Sequence, residues 1–121
     1  MKIANPIAVL GEDLACEYLA QKGYKIIERN FRKKYQEIDI IAIHTETLVF
    51  VEVKTRRSRA YGSPFESIAP WKLKHLVKLA QFYKLLHPSL PDYMRIDAVG
   101  VNLSWDEKVE KIEHLENITD F

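Results

Sequence analysis

The sequence predicts an α/β fold in which a mixed sheet of four or five strands is flanked by helices, in the order α-β-β-β-α-β-β. Three observations carry that prediction. Two β-rich runs, EIDIIAIH (37–44) and LVFVEVKT (48–55), lie a few residues apart, as the arms of an antiparallel hairpin do. Two longer segments read as helices, one ending at Gly23 and one lying between Pro70 and Pro88. A further apolar run, MRIDAVGV (94–101), follows the second of these and reads as another strand.

The elements follow in order. Asn5-Pro6 opens the first helix, which runs to about Gln21. Tyr24–Asn30 is a short strand or extended piece, and Phe31–Gln36 is a basic connection. Glu37–His44 and Leu48–Thr55 form the hairpin. The gap between them lacks Asn-Gly or a similar pair, which leaves its turn type open. Arg56–Pro70, with Gly62, Ser63 and Pro64 in it, is a loop. Pro70 suits the first turn of the second helix, which runs from about Trp71 to Leu86. Met94–Val101 and then Val109–Leu115 complete the sheet.

Composition bounds the class. The chain has 121 residues, the size of one domain, and 47% of them are apolar, enough for a real core. A lone cysteine, Cys16, excludes an internal disulfide and fits a reducing compartment and a buried side chain. No apolar run approaches the roughly 20 residues that cross a bilayer, and the N-terminus makes a poor signal peptide. The expectation is a soluble cytoplasmic chain with no membrane partner. Net charge is +1 but unevenly spread: residues 1–53 carry −1, residues 54–84 carry +7 and residues 85–121 carry −5. Such a basic block fits a polyanion contact, or a solvated surface facing acids elsewhere.

The hairpin holds the sharpest feature. Glu52 and Lys54 are two residues apart on a strand that is otherwise apolar, so they share a face with Phe50. Asp39, on the first arm, shares its face with Glu37, Ile41 and Ile43. Pairing His44 with Thr47 around Thr45-Glu46 brings Asp39 and Glu52 onto one face. It leaves them one residue out of direct opposition and close enough to share a metal ion, and a bulge in another register would give the same result. Buried charges cost several kcal/mol each unless they pair or bind an ion, and adjacent carboxylates repel. A hard divalent cation answers both costs, and oxygen donors favour Mg²⁺ or Mn²⁺. Lys54 beside it would stabilise developing negative charge or position a water. The same pattern also fits a solvent-facing strand that carries a salt bridge.

Glu12 adds a fourth charge. At 100° per residue it falls inside the apolar arc of the first helix, between Ala15, Leu19 and Cys16, while Asp13 and Glu17 lie on the polar side. It is either a first-turn acid favoured by the helix N-terminus or a further group over the same site.

The set Gly11-Glu12, Ala15, Tyr18-Leu19, Gly23-Tyr24, Arg29-Asn30, Glu37-Ile38-Asp39, Val51-Glu52-Val53-Lys54-Thr55-Arg56 and Arg95-Ile96-Asp97 resembles the YraN-like family. That family is grouped with restriction-endonuclease-like nucleases of the PD-(D/E)xK class, archaeal Holliday-junction resolvases in particular. The resemblance runs from about residue 8 to 118. It implies a restriction-endonuclease-like mixed sheet, with Asp39 and Glu52 as metal ligands, the Val53 carbonyl as an extra ligand, Lys54 as the catalytic lysine and Glu12 as the acid on the first helix. One departure is visible, since Gln36 stands where the family has glycine. Resolvase-like nucleases act as dimers, though no stretch here identifies a dimer face.

Nucleic acid, DNA in the first instance, is the expected partner. Arg56, Arg57 and Arg59 follow the Lys54 strand, and a guanidinium suits phosphate by its bidentate fork. On the second helix Lys74, Lys78 and Gln81 form a polar stripe opposite Leu73, Val77, Ala80 and Tyr83, which is also what a solvated helix face looks like. Nothing resembles a base-reading helix, so branched or damaged DNA, selected by structure rather than sequence, is the expected substrate. Tyr35 and Tyr61 are the stacking candidates, Trp71 and Tyr83 are assigned to the core, and the four histidines lack metal-ligand spacing. Three functions stand open: a metal-dependent endonuclease, a nucleic-acid-binding module that needs a partner for turnover, and an adaptor whose charges form a closed ion-pair cluster.

Overall fold

The computed structural model describes residues 5–57, 63–119 and 121. Helix α1 spans Pro6–Gln21, strands β1, β2 and β3 span Lys25–Lys33, Gln36–His44 and Thr47–Arg57, helix α2 spans Pro70–Leu86, and β4 and β5 span Tyr93–Leu103 and Val109–Leu115. A single 3-10 turn at Pro64–Ser67 precedes α2. The predicted class and element order are those observed: one five-stranded mixed sheet ordered β1-β2-β3-β4-β5. Only β3 and β4 run parallel, because α2 carries the chain back between them.

Local chemistry explains the boundaries. The Asn5 side chain accepts the Ile7 N–H at 2.9 Å and Pro6 occupies the first turn, so α1 starts where both residue preferences meet. It stops at Gly23, whose φ of 91° suits a residue without Cβ. The stretch read as a basic connection is instead strand at both ends. Phe31–Lys33 belong to β1, Gln36 opens β2, and Lys34, at φ 58°, turns the chain between them. Arg56 and Arg57, read as loop, extend β3 because β4 supplies partners as far as Leu103.

Each face of the sheet packs one helix. Ala15 and Leu19 of α1 meet Ile40, Ala42, Val49, Val51, Val99 and Val101. Leu76, Leu79, Ala80 and Tyr83 of α2 meet Ile38, Ile41, Leu48, Phe50 and Ile96. The hairpin register pairs His44 with Thr47, as expected, and continues to Ile40 with Val51. One count needs correction: in this register Asp39 falls directly opposite Glu52, not one residue aside.

A second correction is larger. Ile38 packs on the α2 side and Ile40 on the α1 side, although residues two apart on a strand should share a face. The alternation therefore slips at Asp39, which does not simply share a face with Ile41 and Ile43. Asn30, at φ 54°, lies on the neighbouring strand between the pairs Phe31–Ile38 and Arg29–Ile40.

Two contacts hold the layers. A Cβ at Gly11 would lie 1.8 Å from Thr55 Oγ1 and 2.7 Å from Thr55 Cβ, so α1 rests directly on β3 only because residue 11 has no side chain. At the other end of α1, Asp97 is fully buried and takes Arg95 Nε at 2.8 Å, His114 Nε2 at 2.8 Å and the Asn117 N–H at 2.9 Å. Burial opposes the Asp97 charge, but these donors outweigh it and hold its carboxyl below the usual range.

Gly11→Ala is expected to cost about 1–3 kcal/mol by overpacking, read as a lower urea midpoint. Asp97→Ala is expected to cost about 3–5 kcal/mol, because the His114 ring and the Asn117 N–H lose their buried acceptor and Arg95 is left with the more exposed Glu116 as its acid. The pH sign follows from the lowered carboxyl. The contribution of Asp97 is complete above the unfolded-state value near 4 and is lost as pH falls below it, so the gap between wild type and Asp97→Ala in urea titrations should narrow in acid.

Candidate functional site

The β2–β3 ladder stops at Ile40–Val51, and the two strands fork beyond it. In the fork the Asp39 carboxylate accepts the Val53 N–H at 2.8 Å, so a side chain continues the ladder where backbone pairing ends. Burial and the neighbouring Glu52 charge, with a smaller push from Glu12, raise the Asp39 carboxyl to about 9 against the opposing Val53 hydrogen bond. An aspartate so displaced is short of positive charge.

Three acids converge here. One carboxylate oxygen from each of Glu12, Glu37 and Asp39 lies within 4.8 Å of the others. Asn30 organises two of them, its Nδ2 donating to Glu12 at 2.7 Å and to Glu37 at 3.2 Å. The turned backbone at Asn30 aims that amide, and Asn is among the residues that most readily adopt positive φ. Glu37 is also held by Arg32. Burial works against the Glu37 charge, but the Arg32 and Asn30 hydrogen bonds prevail and its carboxyl lies below the ordinary range. Glu12 belongs to the second turn of α1, since the helix begins at Pro6, so it is not a first-turn acid.

Glu52 reaches the fork from the α2 face. It is 6% exposed, and its Oε2 has no hydrogen-bond partner among the described residues. Lys72 Nζ stands 3.7 Å from that oxygen, an ion pair by distance but too long for a hydrogen bond. Lys54 is half-buried on the same strand. A cleft of about 330 Å³ is lined by Glu12, Glu37, Asp39, Glu52, Val53, Lys54 and Thr55, which brings the three sequence-derived acids and the lysine to one opening together with Glu37. A second, of about 440 Å³, continues past Lys54 along Thr55, Arg56, Ser63 and Glu66.

Other expected residues stand differently. Arg56 Nε donates to Asn102 at 2.9 Å and Arg57 pairs with Glu107 at 2.7 Å, both toward β4 and β5. Lys74 and Lys78 are exposed on α2, as expected. Arg59 and Tyr61 lie outside the described residues. Tyr83 is buried, but Trp71, assigned to the core, is 63% exposed: it occupies the first turn of α2, ahead of the buried Leu76–Leu79–Tyr83 stripe. Sequence reasoning missed Asn30, Arg32 and Lys72 as parts of the site. Asn30 alone left a trace, as an asparagine within a β-rich run.

Fold and site together define an α/β protein whose mixed sheet forks over a cluster of acids with a lysine beside it. The model of the uncharacterised protein family UPF0102 matches residues 11–101, a span that includes every residue of the fork. The chain is 40% identical over 111 residues to a UPF0102 protein of Syntrophomonas wolfei, covering 92% of this chain and 95% of that protein. It is 44% identical over 113 residues to one of Alkaliphilus oremlandii, covering 92% and 95%. With one of Chlorobium limicola it shares 48% over 91 residues, covering 75% and 70%. The chain belongs to the UPF0102 family, the YraN-like family that its motifs resemble. No helix among the described residues is long and apolar enough to cross a membrane.

The raised Asp39 carboxyl fixes a sign. Between about pH 4 and pH 9 the folded state holds a proton that the unfolded state has released, so stability in EDTA should fall as pH rises through that window. Asp39→Asn, which keeps an acceptor for the Val53 N–H, is expected to flatten this slope. It should also raise the melting midpoint at pH 8 by a few degrees, measured by calorimetry.

Proposed function

We propose that this chain is a divalent-metal-dependent endonuclease that hydrolyses phosphodiester bonds in DNA, selecting its substrate by structure. The observation that carries the proposal is the buried Glu52 Oε2 without a hydrogen bond among the described residues, in a cleft that also holds Glu12, Asp39 and Lys54. Unsatisfied buried carboxylate oxygens of this kind suit a cation. The donors are all oxygen, the set preferred by Mg²⁺ or Mn²⁺. Asp39 and Glu52 would hold the ion with the Val53 carbonyl, and Glu12 would complete the set from α1. Bound there, the ion would supply positive charge at the scissile phosphate.

The chain's own groups have distinct tasks. Asn30 and Arg32 hold Glu37 in its charged form, and Asn30 also aims Glu12 into the cleft. Lys72 balances Glu52 from behind. Lys54 opens onto both clefts, where its ammonium would stabilise negative charge developing on the attacked phosphate. Arg56 lines the outer cleft, and Lys74 and Lys78 offer further phosphate contacts of the kind that salt weakens. Restriction-endonuclease-like nucleases, which the motif series resembles, use a carboxylate pair and lysine of this type.

The test is cleavage of linear, flapped and four-way DNA with Mn²⁺ or Mg²⁺. Cleavage is expected, with Asp39→Ala and Lys54→Ala each reducing the rate by about a hundredfold or more. Activity that survives either substitution would remove the assignment. Salt-sensitive DNA binding with no cleavage under any metal would make the chain a binding module, and calorimetry showing neither metal nor DNA binding would make it an adaptor.

A further inference from the structure

On the α2 side, a groove separates the β1–β2 turn from the start of α2, and its two rims are aromatic. Tyr35, at the tip of the turn, is fully exposed, and Trp71 is 63% exposed on the opposite rim. Both line one cleft with Gln36, Lys72, His75 and Leu79. An adjoining cleft of about 290 Å³ is lined by Lys33, Lys34, Tyr35, Lys78 and Phe82. The walls are braced. The Gln36 amide meets the His75 ring nitrogen, Trp71 stands edge-on to His75 at 5.6 Å, and Lys33 Nζ lies over the Phe82 ring at 3.7 Å.

The groove opens into the acidic fork. Glu37 lines both the groove and the fork cleft. Lys72 lines the groove and pairs with Glu52 in the fork. Lys33, Lys34, Lys72 and Lys78 surround it, whereas Glu37, engaged by Arg32, is the acid in its lining. Two exposed aromatic rims over a small apolar floor, ringed by lysines, suit bases and phosphates together. Duplex DNA offers its phosphates but keeps base faces stacked on one another. An unpaired strand offers both, and aromatic stacking tolerates any base.

We propose that this groove binds an unpaired nucleic-acid strand, with Tyr35 and Trp71 stacking on its bases, and leads that strand to the acidic fork. The inference rests on the nuclease reading for its destination, and it narrows the substrate to DNA with a single-stranded segment next to the cut. A protein partner with an acidic, apolar segment is the competing occupant.

The experiment is binding in EDTA, where no cleavage interferes. The chain has two tryptophans, so Trp105→Phe leaves Trp71 as the sole indole reporter. Short oligothymidylate is expected to quench Trp71 fluorescence, and a blunt duplex of equal length is not. By anisotropy of a labelled oligonucleotide, Tyr35→Ala and Trp71→Ala should each weaken single-strand binding by roughly 5- to 100-fold. Lys78→Ala should weaken both forms alike and reduce the salt slope. Circular dichroism checks that these exposed substitutions leave the fold intact. Equal affinity for both forms, single-strand affinity unchanged in Trp71→Ala, or no oligonucleotide binding at low salt would each overturn the proposal, the last leaving the groove to a protein. Loss of the nuclease reading is separable: single-strand binding with Trp71 quenching but no Mn²⁺-dependent cleavage keeps the groove and removes the hydrolase.

Discussion

The Asp39 carboxylate takes the Val53 N–H at the point where β2 and β3 part, and the arrangement of the site depends on that one hydrogen bond. A backbone ladder cannot simply end inside a packed sheet, because its donors would be left unpaired. Here a side chain substitutes for a carbonyl, and the strands can diverge with the Val53 donor still satisfied. The divergence opens a cleft between two well-packed faces. Glu52 lines that cleft while staying buried, with its Oε2 lacking a hydrogen-bond partner among the described residues. The acid that supports the fork is thus the acid that most needs an external charge.

The rest of the molecule can be understood as managing that charge. Asn30 bridges Glu12 and Glu37, Arg32 takes the far side of Glu37, and Lys72 approaches Glu52 from α2. None of these neutralises Asp39. Its carboxyl remains at about 9, so the cluster is balanced at its edges and deficient at its centre. A closed ion-pair knot looks different, and the chain supplies one for comparison: Asp97 is fully buried yet saturated by Arg95, His114 and a backbone N–H, and its carboxyl is lowered rather than raised. The contrast within one small chain is between an acid whose donors the chain supplies in full and a cluster that is left short of positive charge.

Much of this was legible beforehand. The expected hairpin register is the pairing that puts Asp39 and Glu52 on one face around a two-residue turn, and the observed pairing agrees; a slip of one would have turned Val49 and Val51 away from α1. Glu12 was recognisable as an acid inside an apolar arc. The misreadings have a common cause. Phe31–Lys33 look like a polar connection because β1 is an edge strand, exposed enough to carry charge and still be paired by β2. Trp71 looks like core by its type, but its position one turn ahead of Leu76 leaves it beyond the sheet.

Periodicity and residue type alone determined the order of helices and strands and the pairing of His44 with Thr47 in the hairpin. These are properties of a few neighbouring residues, and local sterics and burial decide them. Only the tertiary structure decided that Asp39 sits at a slip in its strand, that Asn30 turns to hold Glu12 and Glu37, and that Lys72 rather than Lys54 is paired with Glu52. It also decided that Tyr35 and Trp71 face each other across a groove. Those facts depend on where α1 and α2 cross the sheet, which is set by a glycine meeting a threonine and by side chains packing at long range. No local period encodes such contacts.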